Sequence, residues 1–210
     1  MGRSFIKSAP DISTFSCLIL VYGILRGYLR HALWFMLTTL ATLPGFRKGI
    51  KKHFPHEWAM TASLPAWMYI RLKNKVGGPK AFELLRAAFL PVSMALFGVT
   101  FRVVESPRTF DNMVQFHEMA RKGLFSNAEE ETVEYTDSRF EYRCTSCGYV
   151  DLFKYLGVPE LTPMFCSADN AFYNSYAPNQ VTFSRGGPGN MISEGATHCT
   201  FIYEKHGQKQ

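Results

Sequence analysis

The fold class is decided by the stretch Ser138-Arg139-Phe140-Glu141-Tyr142-Arg143-Cys144, in which apolar and charged side chains alternate. Successive side chains of a β-strand point to opposite faces of the sheet, so this alternation predicts a half-buried strand. Residues 132–135 alternate in the same way, and the two stretches together predict an antiparallel hairpin. Further strands are predicted at residues 179–185 and 197–204.

Helical patterns surround these strands. One predicted helix ends at Gly77-Gly78-Pro79, because glycine favours the end of a helix and proline cannot continue it. Pro91 is expected to kink or divide the helix that follows. The predicted helices span residues 60–75, 80–101, 109–122, 149–156 and 162–176. We therefore predict an α+β fold, with N-terminal helices followed by a small antiparallel sheet interleaved with helices.

The N-terminal region is strongly apolar. Residues 12–46 contain two apolar runs, which are separated by Arg26, Arg30 and His31. A membrane-spanning helix needs about 20 uninterrupted apolar residues, and an arginine at its centre costs about 2.5–3.5 kcal/mol. The region is interpreted as two apolar helices, as one helix lying in a membrane interface, or as a helix packed on the protein's own core. Residues 1–55 are treated as this apolar segment and residues 56–210 as the α+β domain.

The charge distribution bears on the partners of the protein. The net charge is +6, and a basic run, Arg47-Lys48-Gly49-Ile50-Lys51-Lys52, directly follows the apolar region. This position fits anionic lipid head groups better than a nucleic acid, so a membrane surface is a candidate partner through residues 12–46. The sequence carries no pattern typical of a nucleic-acid-binding protein, and we expect no nucleic-acid partner.

Length and composition limit the class of protein further. A chain of 210 residues can bury one substantial core, and 47% hydrophobic against 19% charged residues indicates a folded protein rather than a disordered one. Five cysteines is an odd count, and no cleavable signal peptide is evident. We therefore expect a reducing compartment and a cytoplasmic location, either with or without membrane association. The oligomeric state cannot be predicted.

One predicted helix carries a polar stripe. Cys166, Asp169, Asn170 and Tyr173 are spaced at i, i+3, i+4 and i+7, which places them on one face. Such a face, flanked by apolar sequence, is more typical of the wall of a site than of a core. The helix N-terminus is expected to lower the pKa of Cys166, whereas Asp169 would raise it. The alternative is that Cys166 is a small core residue and Asp169 a surface carboxylate.

The last two predicted strands add further candidates. Arg185 lies on the inward face, where a guanidinium needs an anion; that anion is either a substrate carboxylate or an internal partner such as Asp169 or Glu194. His198 is the candidate base for Cys166. His198 and Cys199 are adjacent in a strand and therefore point to opposite faces, so both reach one pocket only across a bulge.

Cys144 and Cys147 form a CxxC pair. With Cys166 and Cys199 they could supply four zinc ligands, but only one CxxC is present and no βαβ unit surrounds it. We interpret the pair as two partly buried cysteines at the end of a strand. The sequence predicts no metal site and no cofactor. His117, on the apolar stripe of residues 109–122, is interpreted as a histidine satisfied in or near the core.

Several short motifs resemble the L-2-amino-thiazoline-4-carboxylic acid hydrolase family. The resemblance extends over about residues 65–204 and is strongest from residue 139 onward. It implies hydrolysis of a small cyclic amidine, classed as a C–N bond hydrolysis, in which a 2-amino-thiazoline ring opens to an N-carbamoyl cysteine. The matching motifs are Arg143-Cys144, Val150-Asp151-Leu152-Phe153-Lys154-Tyr155-Leu156-Gly157, Pro159-Glu160-Leu161, Cys166-Ser167-Ala168-Asp169, Arg185, Gly195 and Cys199-Thr200-Phe201.

The resemblance suggests a chemical hypothesis for a small-molecule substrate. Cys166 attacks the amidine carbon or a base directs water at it, Asp169 protonates the ring nitrogen, and Arg185 holds a carboxylate. The expected catalytic residues are Cys166, Asp169 and His198, and the expected substrate-binding residues are Asn170, Tyr173, Arg185 and Cys199.

The sequence departs from the family pattern at two places, and two alternatives remain open. Thr200 stands where the family usually has an acidic residue, and Gly186-Gly187-Pro188-Gly189 replaces hydroxyl residues after the arginine. One alternative is a membrane-associated enzyme of specialised metabolism that isomerises or cyclises an apolar intermediate. The other is a protein that binds an apolar metabolite without catalysis.

Overall fold

The fold was analysed in a computed structural model, which describes residues 14–100, 108–122 and 129–206. The helices in these ranges are α1 (Thr14–Arg26), α2 (Ala32–Ile50), α3 (His56–Val76), α4 (Gly78–Thr100), α5 (Phe110–Lys122), α6 (Gly148–Tyr155) and α7 (Leu161–Tyr176). The strands are β1 (Glu130–Tyr135), β2 (Arg139–Cys144), β3 (Val181–Ser184) and β4 (Cys199–Lys205), and a short 3-10 helix spans Ile192–Glu194. The predicted α+β fold is confirmed.

The four strands form one antiparallel sheet in the order β1-β2-β4-β3. β4 therefore lies inside the sheet and pairs with β2 on one edge and β3 on the other. The register places Tyr142 opposite Phe201 and Cys144 opposite Cys199. The hairpin predicted at residues 132–135 and 138–144 is confirmed as β1 and β2.

The predicted helices are present, with small differences at their ends. The helix predicted to begin at residue 60 begins at His56, immediately after Pro55. The expected division at Pro91 is wrong, because α4 continues through this proline. Packing explains the continuity, since Phe89 of α4 lies 4.6 Å from Phe165 of α7 between ring centroids. Burial of this kind compensates for the one backbone hydrogen bond that a proline removes.

The apolar N-terminal region forms two separate helices, α1 and α2. Leu25, Phe35, Met36 and Ile50 are buried, and they share a core with α3, α4, α6 and the start of α7. Residues 12 and 13 of the predicted region lie outside the described residues. Within the described ranges, no helix combines the length and the hydropathy that are needed to cross a membrane. The division of the chain at residue 55 stays a prediction.

Helix α7 connects two apolar clusters. Its first turns contribute Leu161 and Met164 to the core shared with α1–α4 and α6. Its last turns contribute Phe172, Tyr173 and Tyr176 to a second core, which is formed with α5 and the sheet. The polar residues in the middle of α7 therefore lie at the boundary between the two cores, which positions the candidate site.

Candidate functional site

The polar stripe predicted on α7 is present on one helical face. Cys166, Asp169 and Asn170 project toward the segment that follows β3, and each has a partner there. Tyr173, one turn further on, packs edge-on against Tyr203 with 5.2 Å between ring centroids. The first three residues of the stripe therefore form polar contacts, and the last one, Tyr173, packs in the core.

Arg185 is the centre of the site. It directly follows β3, and its side chain is only 8% exposed. Its Nη2 group donates to Oδ2 of Asp169 at 3.2 Å and its Nε group donates to Oδ1 of Asn170 at 3.1 Å. The Nη1 group lies 3.5 Å from the carbonyl oxygen of Thr200. Of the partners that the sequence left open for this arginine, the structure shows the internal one, Asp169.

Aromatic rings support the guanidinium from the sheet. The Cζ atom of Arg185 lies 3.8 Å from the centroid of the Phe201 ring and 5.2 Å from that of Phe183. Phe201 is in turn stacked on Tyr142, with 4.5 Å between centroids. A cation over an aromatic face is stabilised electrostatically, most strongly where water is excluded. The rings therefore help to offset the cost of burying the charge of Arg185.

The glycine-rich loop after Arg185 is held by its own hydrogen bonds. The side chain of Asn190 donates through Nδ2 to the carbonyl oxygen of Arg185 at 3.0 Å, and its backbone carbonyl accepts from the N–H of Thr200 at 3.1 Å. Gly186 has φ of 74°, a conformation that favours glycine, and a Cβ atom there would lie 3.2 Å from Cδ1 of Ile202. Through these two hydrogen bonds, the loop holds the backbone at Arg185 and at Thr200.

The 3-10 helix supplies polar contacts to two thiols. Oγ of Ser193 lies 3.5 Å from Sγ of Cys166. The backbone N–H of Ile192 donates to Sγ of Cys199 at 3.2 Å. Both cysteines thus touch the same short turn, although Cys166 belongs to α7 and Cys199 begins β4.

Burial dominates the protonation of these groups. It raises the pKa of Asp169, although the positive charge and the hydrogen bond of Arg185 act in the opposite direction. Burial also raises the pKa of Cys166 to about 12, with Ser193 and Arg185 lowering it and Asp169 raising it further. The lowered pKa expected from the helix N-terminus is wrong. Cys166 lies beyond the first turn of α7, where the dipole effect has fallen off.

His198 is placed differently from the other predicted catalytic residues. Its Nδ1 atom forms a hydrogen bond with Oγ1 of Thr197 at 3.1 Å. In the described part of the chain, neither a hydrogen bond nor an ion pair joins His198 to Cys166 or Asp169. The structure therefore brings Cys166, Asp169, Asn170 and Arg185 into one cluster without His198. The catalytic and substrate-binding roles assigned to these residues stay predictions.

The CxxC cysteines lie at the end of a strand, as interpreted from the sequence. Cys144 is the buried last residue of β2, and its thiol donates to Oε1 of Glu130 at 3.3 Å. Cys147 precedes the first turn of α6. All five cysteines are free thiols. Among the described residues, no group of three or more His, Cys, Asp or Glu side chains is arranged to bind a metal.

Several residues of the site and its surroundings were missed from the sequence. Asn190 lies in the loop after β3 and Ser193 in the short 3-10 helix that follows it, and only the glycines around them indicated a close approach of the backbone. His117 was expected in or near the core, and it is buried and stacked on Tyr142 with 3.8 Å between centroids. Its Nε2 atom lies 3.5 Å from Oε2 of Glu130, and this contact between two elements distant in the chain could not be predicted.

The site and the fold together define an α+β protein with a buried arginine–aspartate centre between one helix and an antiparallel sheet. The sequence model of the L-2-amino-thiazoline-4-carboxylic acid hydrolase family matches residues 58–203, more than half of the chain. The chain belongs to this family, as the resemblance in the sequence indicated, and it is hydrolase-like in this coarse sense. No curated protein and no solved structure matches it.

Proposed function

We propose that the protein is a hydrolase that opens a small cyclic amidine carrying a carboxylate, with 2-amino-thiazoline-4-carboxylate as the first candidate. The observation that supports this most directly is the contact between Asp169 and Arg185. Such a substrate carries a cationic amidine at neutral pH and an anionic carboxylate. The pair offers one group of opposite charge for each of them.

The two members of the pair differ in their access to solvent. The Asp169 side chain is 34% exposed, whereas that of Arg185 is 8% exposed. An amidine therefore reaches Asp169 first. The described contacts of Arg185 use one N–H on each of its three nitrogens. Nη1 and Nη2 each have a second N–H, and in this proposal these two groups donate to the substrate carboxylate.

Asp169 is the proposed proton-transfer group. Burial raises the pKa of Asp169, which makes its carboxylate a better proton acceptor than an exposed aspartate. The ring nitrogen of the cationic amidine already carries a proton, which makes the amidine carbon electrophilic, and the carboxylate of Asp169 accepts a hydrogen bond from that N–H. Water adds to that carbon and gives one proton to the carboxylate of Asp169. The carbon–sulfur bond then breaks, and the sulfur takes that proton from Asp169. The new hydroxyl gives its proton through Asp169 to solvent and becomes the carbonyl of an N-carbamoyl cysteine.

This ring opening keeps both carbon–nitrogen bonds of the amidine carbon. Water is added across the C=N bond, and the bond that breaks is the one to the ring sulfur. The reaction is therefore hydrolysis at an amidine carbon, and the C–N hydrolysis expected from the sequence describes its first step rather than the bond that is lost.

The attacking group is either water or Cys166. The pKa of about 12 keeps this thiol protonated at neutral pH, and a thiol is a much weaker nucleophile than a thiolate. We therefore propose water as the nucleophile and Cys166 as a neutral wall of the site, held by Ser193. A role for His198 as the base would use its Nε2 atom, since Nδ1 is hydrogen-bonded to Thr197.

The test is a mass-spectrometric assay with 2-amino-thiazoline-4-carboxylate. The wild type is expected to add one water, and Asp169→Asn is expected to lose about 10²–10⁴-fold in rate, the usual contribution of a general acid–base group. Asp151→Asn is the matched control, since Asp151 is an exposed carboxylate on α6. The absence of product from folded wild-type protein, or equal losses in both variants, would overturn the proposal. Cys166→Ser separates the two nucleophiles: retained turnover supports water, and lost turnover with a covalent adduct in the wild type supports the thiol.

A second candidate is an acid-catalysed isomerisation or cyclisation of an apolar intermediate in specialised metabolism. It is favoured by the same raised pKa of Asp169 and by the rings of Phe201, Phe183 and Tyr142 beside it. It requires that Asp169→Asn abolish conversion of an apolar substrate while Cys166→Ser does not. For either reaction we propose a cytoplasmic setting, because a reducing compartment keeps all five thiols free.

A further inference from the structure

The solvent face of α2 is apolar. Leu33, Trp34, Leu37 and Leu40 are spaced at i, i+1, i+4 and i+7, and each has more than two fifths of its surface exposed. Trp34 is 68% exposed. Further along the helix, the exposed positions on this face are Ala41, Pro44 and Gly45. This surface is called the α2 face below.

The opposite side of α2 already supplies its contacts with the protein. Phe35, Met36, Leu43 and Ile50 are buried on that side. A helix at the surface of a globular protein normally carries polar residues where it meets water. The α2 face is therefore not explained by packing among the residues that the structure describes, and a contiguous apolar surface of this kind marks an interaction site.

Helix α1 also presents an apolar face to solvent. Leu18, Ile19 and Tyr22 are exposed on one of its faces, and the helix ends at the exposed Arg26. Both helices thus present large apolar side chains to solvent and carry a cation near an end.

The charges around the α2 face have one sign. Residues 14–53 contain six Lys and Arg residues and neither Asp nor Glu. Lys48, Lys51 and Lys52 are exposed at the C-terminal end of α2, and Arg26 and Arg30 are exposed before it begins. Apolar side chains flanked by cations match the boundary between acyl chains and anionic head groups.

We propose that the α2 face binds the surface of an anionic lipid bilayer, with α2 parallel to the membrane plane. Trp34 and the leucines enter the head-group boundary, and Lys48, Lys51 and Lys52 contact the phosphates. A second copy of the chain fits this face less well, because two such surfaces would bring cations against cations with no acidic residue between them. The proposal is independent of the proposed hydrolysis, since no residue of the candidate site takes part.

The test measures binding of the full chain to vesicles. We expect binding to mixed phosphatidylcholine–phosphatidylserine vesicles and little binding to phosphatidylcholine alone. The triple substitution Lys48→Gln, Lys51→Gln and Lys52→Gln is expected to weaken binding by about fivefold per charge, and high salt to act in the same direction.

Apolar variants test the orientation. Leu33→Ser with Leu37→Ser is expected to weaken binding at least about tenfold, because both side chains lose apolar burial in the bilayer. Tyr135→Ser is the matched control, since Tyr135 is 65% exposed on β1 and lies outside the α2 face. Trp34 fluorescence should shift to the blue on binding, and Trp34→Phe should remove that shift while vesicle binding remains.

Each outcome bears on the proposal. Failure of the folded chain to bind anionic vesicles would overturn it, as would equal binding by the leucine double variant and the wild type. A dimer in solution that the leucine double variant dissociates, without vesicle binding by the wild type, would assign the α2 face to a second copy. All variants lie at exposed positions, and their thermal unfolding should match that of the wild type.

Discussion

Nη2 of Arg185 lies 3.2 Å from Oδ2 of Asp169, which ties the end of β3 to the middle of α7. Asp169→Asn leaves the buried guanidinium with only neutral partners, and we expect a loss of about 1–3 kcal/mol in the free energy of unfolding. Arg185→Met is expected to cost a similar amount. The double variant should be less destabilised than the sum, with a coupling of about 1–2 kcal/mol in urea unfolding. Additive losses would show that the two side chains do not stabilise each other.

Cys166 should react slowly with alkylating reagents at neutral pH. Burial raises the pKa of its thiol to about 12, and only the thiolate is reactive, so the rate should rise steadily as the pH increases toward that value. Site-resolved mass spectrometry after iodoacetamide treatment of the native protein measures this rate. A rate that is already constant near neutral pH would indicate a stabilised thiolate and would restore Cys166 as the nucleophile.

Gly186 and Gly189 provide a matched pair in the loop beside the site. Both have positive φ, so an alanine at either position costs about 1–2 kcal/mol in backbone strain. At Gly186 a Cβ atom would also press on Ile202 and on Nδ2 of Asn190, whereas at Gly189 it meets open space. Gly186→Ala should therefore destabilise the protein more than Gly189→Ala, as measured by thermal unfolding, and should reduce turnover as well. Equal effects would mean that Asn190 can move without disturbing Arg185.

Gly148 and Gly49 test packing at two helices. A Cβ atom at Gly148 would overlap the indole ring of Trp58, so Gly148→Ala forces α6 away from α3. Overpacking of this kind costs about 1–3 kcal/mol. Gly49 lies in α2 with open space around it, and Gly49→Ala should stabilise the protein by about 0.5–1 kcal/mol. Urea unfolding should show a lower free energy of unfolding for Gly148→Ala and a higher one for Gly49→Ala. Trp58→Leu should partly restore the stability of Gly148→Ala.

Much of the fold could be predicted because its patterns are local. The alternation of Phe140, Tyr142 and Cys144 is a property of six neighbouring residues, and it correctly indicated β2. The position of β4 between β2 and β3 could not be predicted in this way. It depends on pairing such as that of Tyr142 with Phe201, which lie far apart in the chain.

The candidate site could be predicted only in part from the sequence. The spacing of Asp169 and Asn170 placed both on one helical face, and the inward position of Arg185 called for an anion nearby. The pKa of Cys166 was predicted with the wrong sign, because burial is a property of the whole fold and the sequence shows only the nearby helix end. Ser193 could not be identified, since a single 3-10 turn of three residues is too short to leave a periodic pattern in the sequence.

The inner position of β4 has a consequence for biosynthesis. Of the four described strands, β4 is the last to leave the ribosome, yet β2 depends on it for one of its two pairings and β3 for its only one. Until Cys199–Lys205 has emerged, the nascent chain holds a hairpin with an open edge and an aromatic face still in water. Chaperones bind unpaired strand edges and exposed aromatic rings, and the same features promote aggregation. The helical half can fold during translation, whereas the half that carries Arg185 must wait for its last strand.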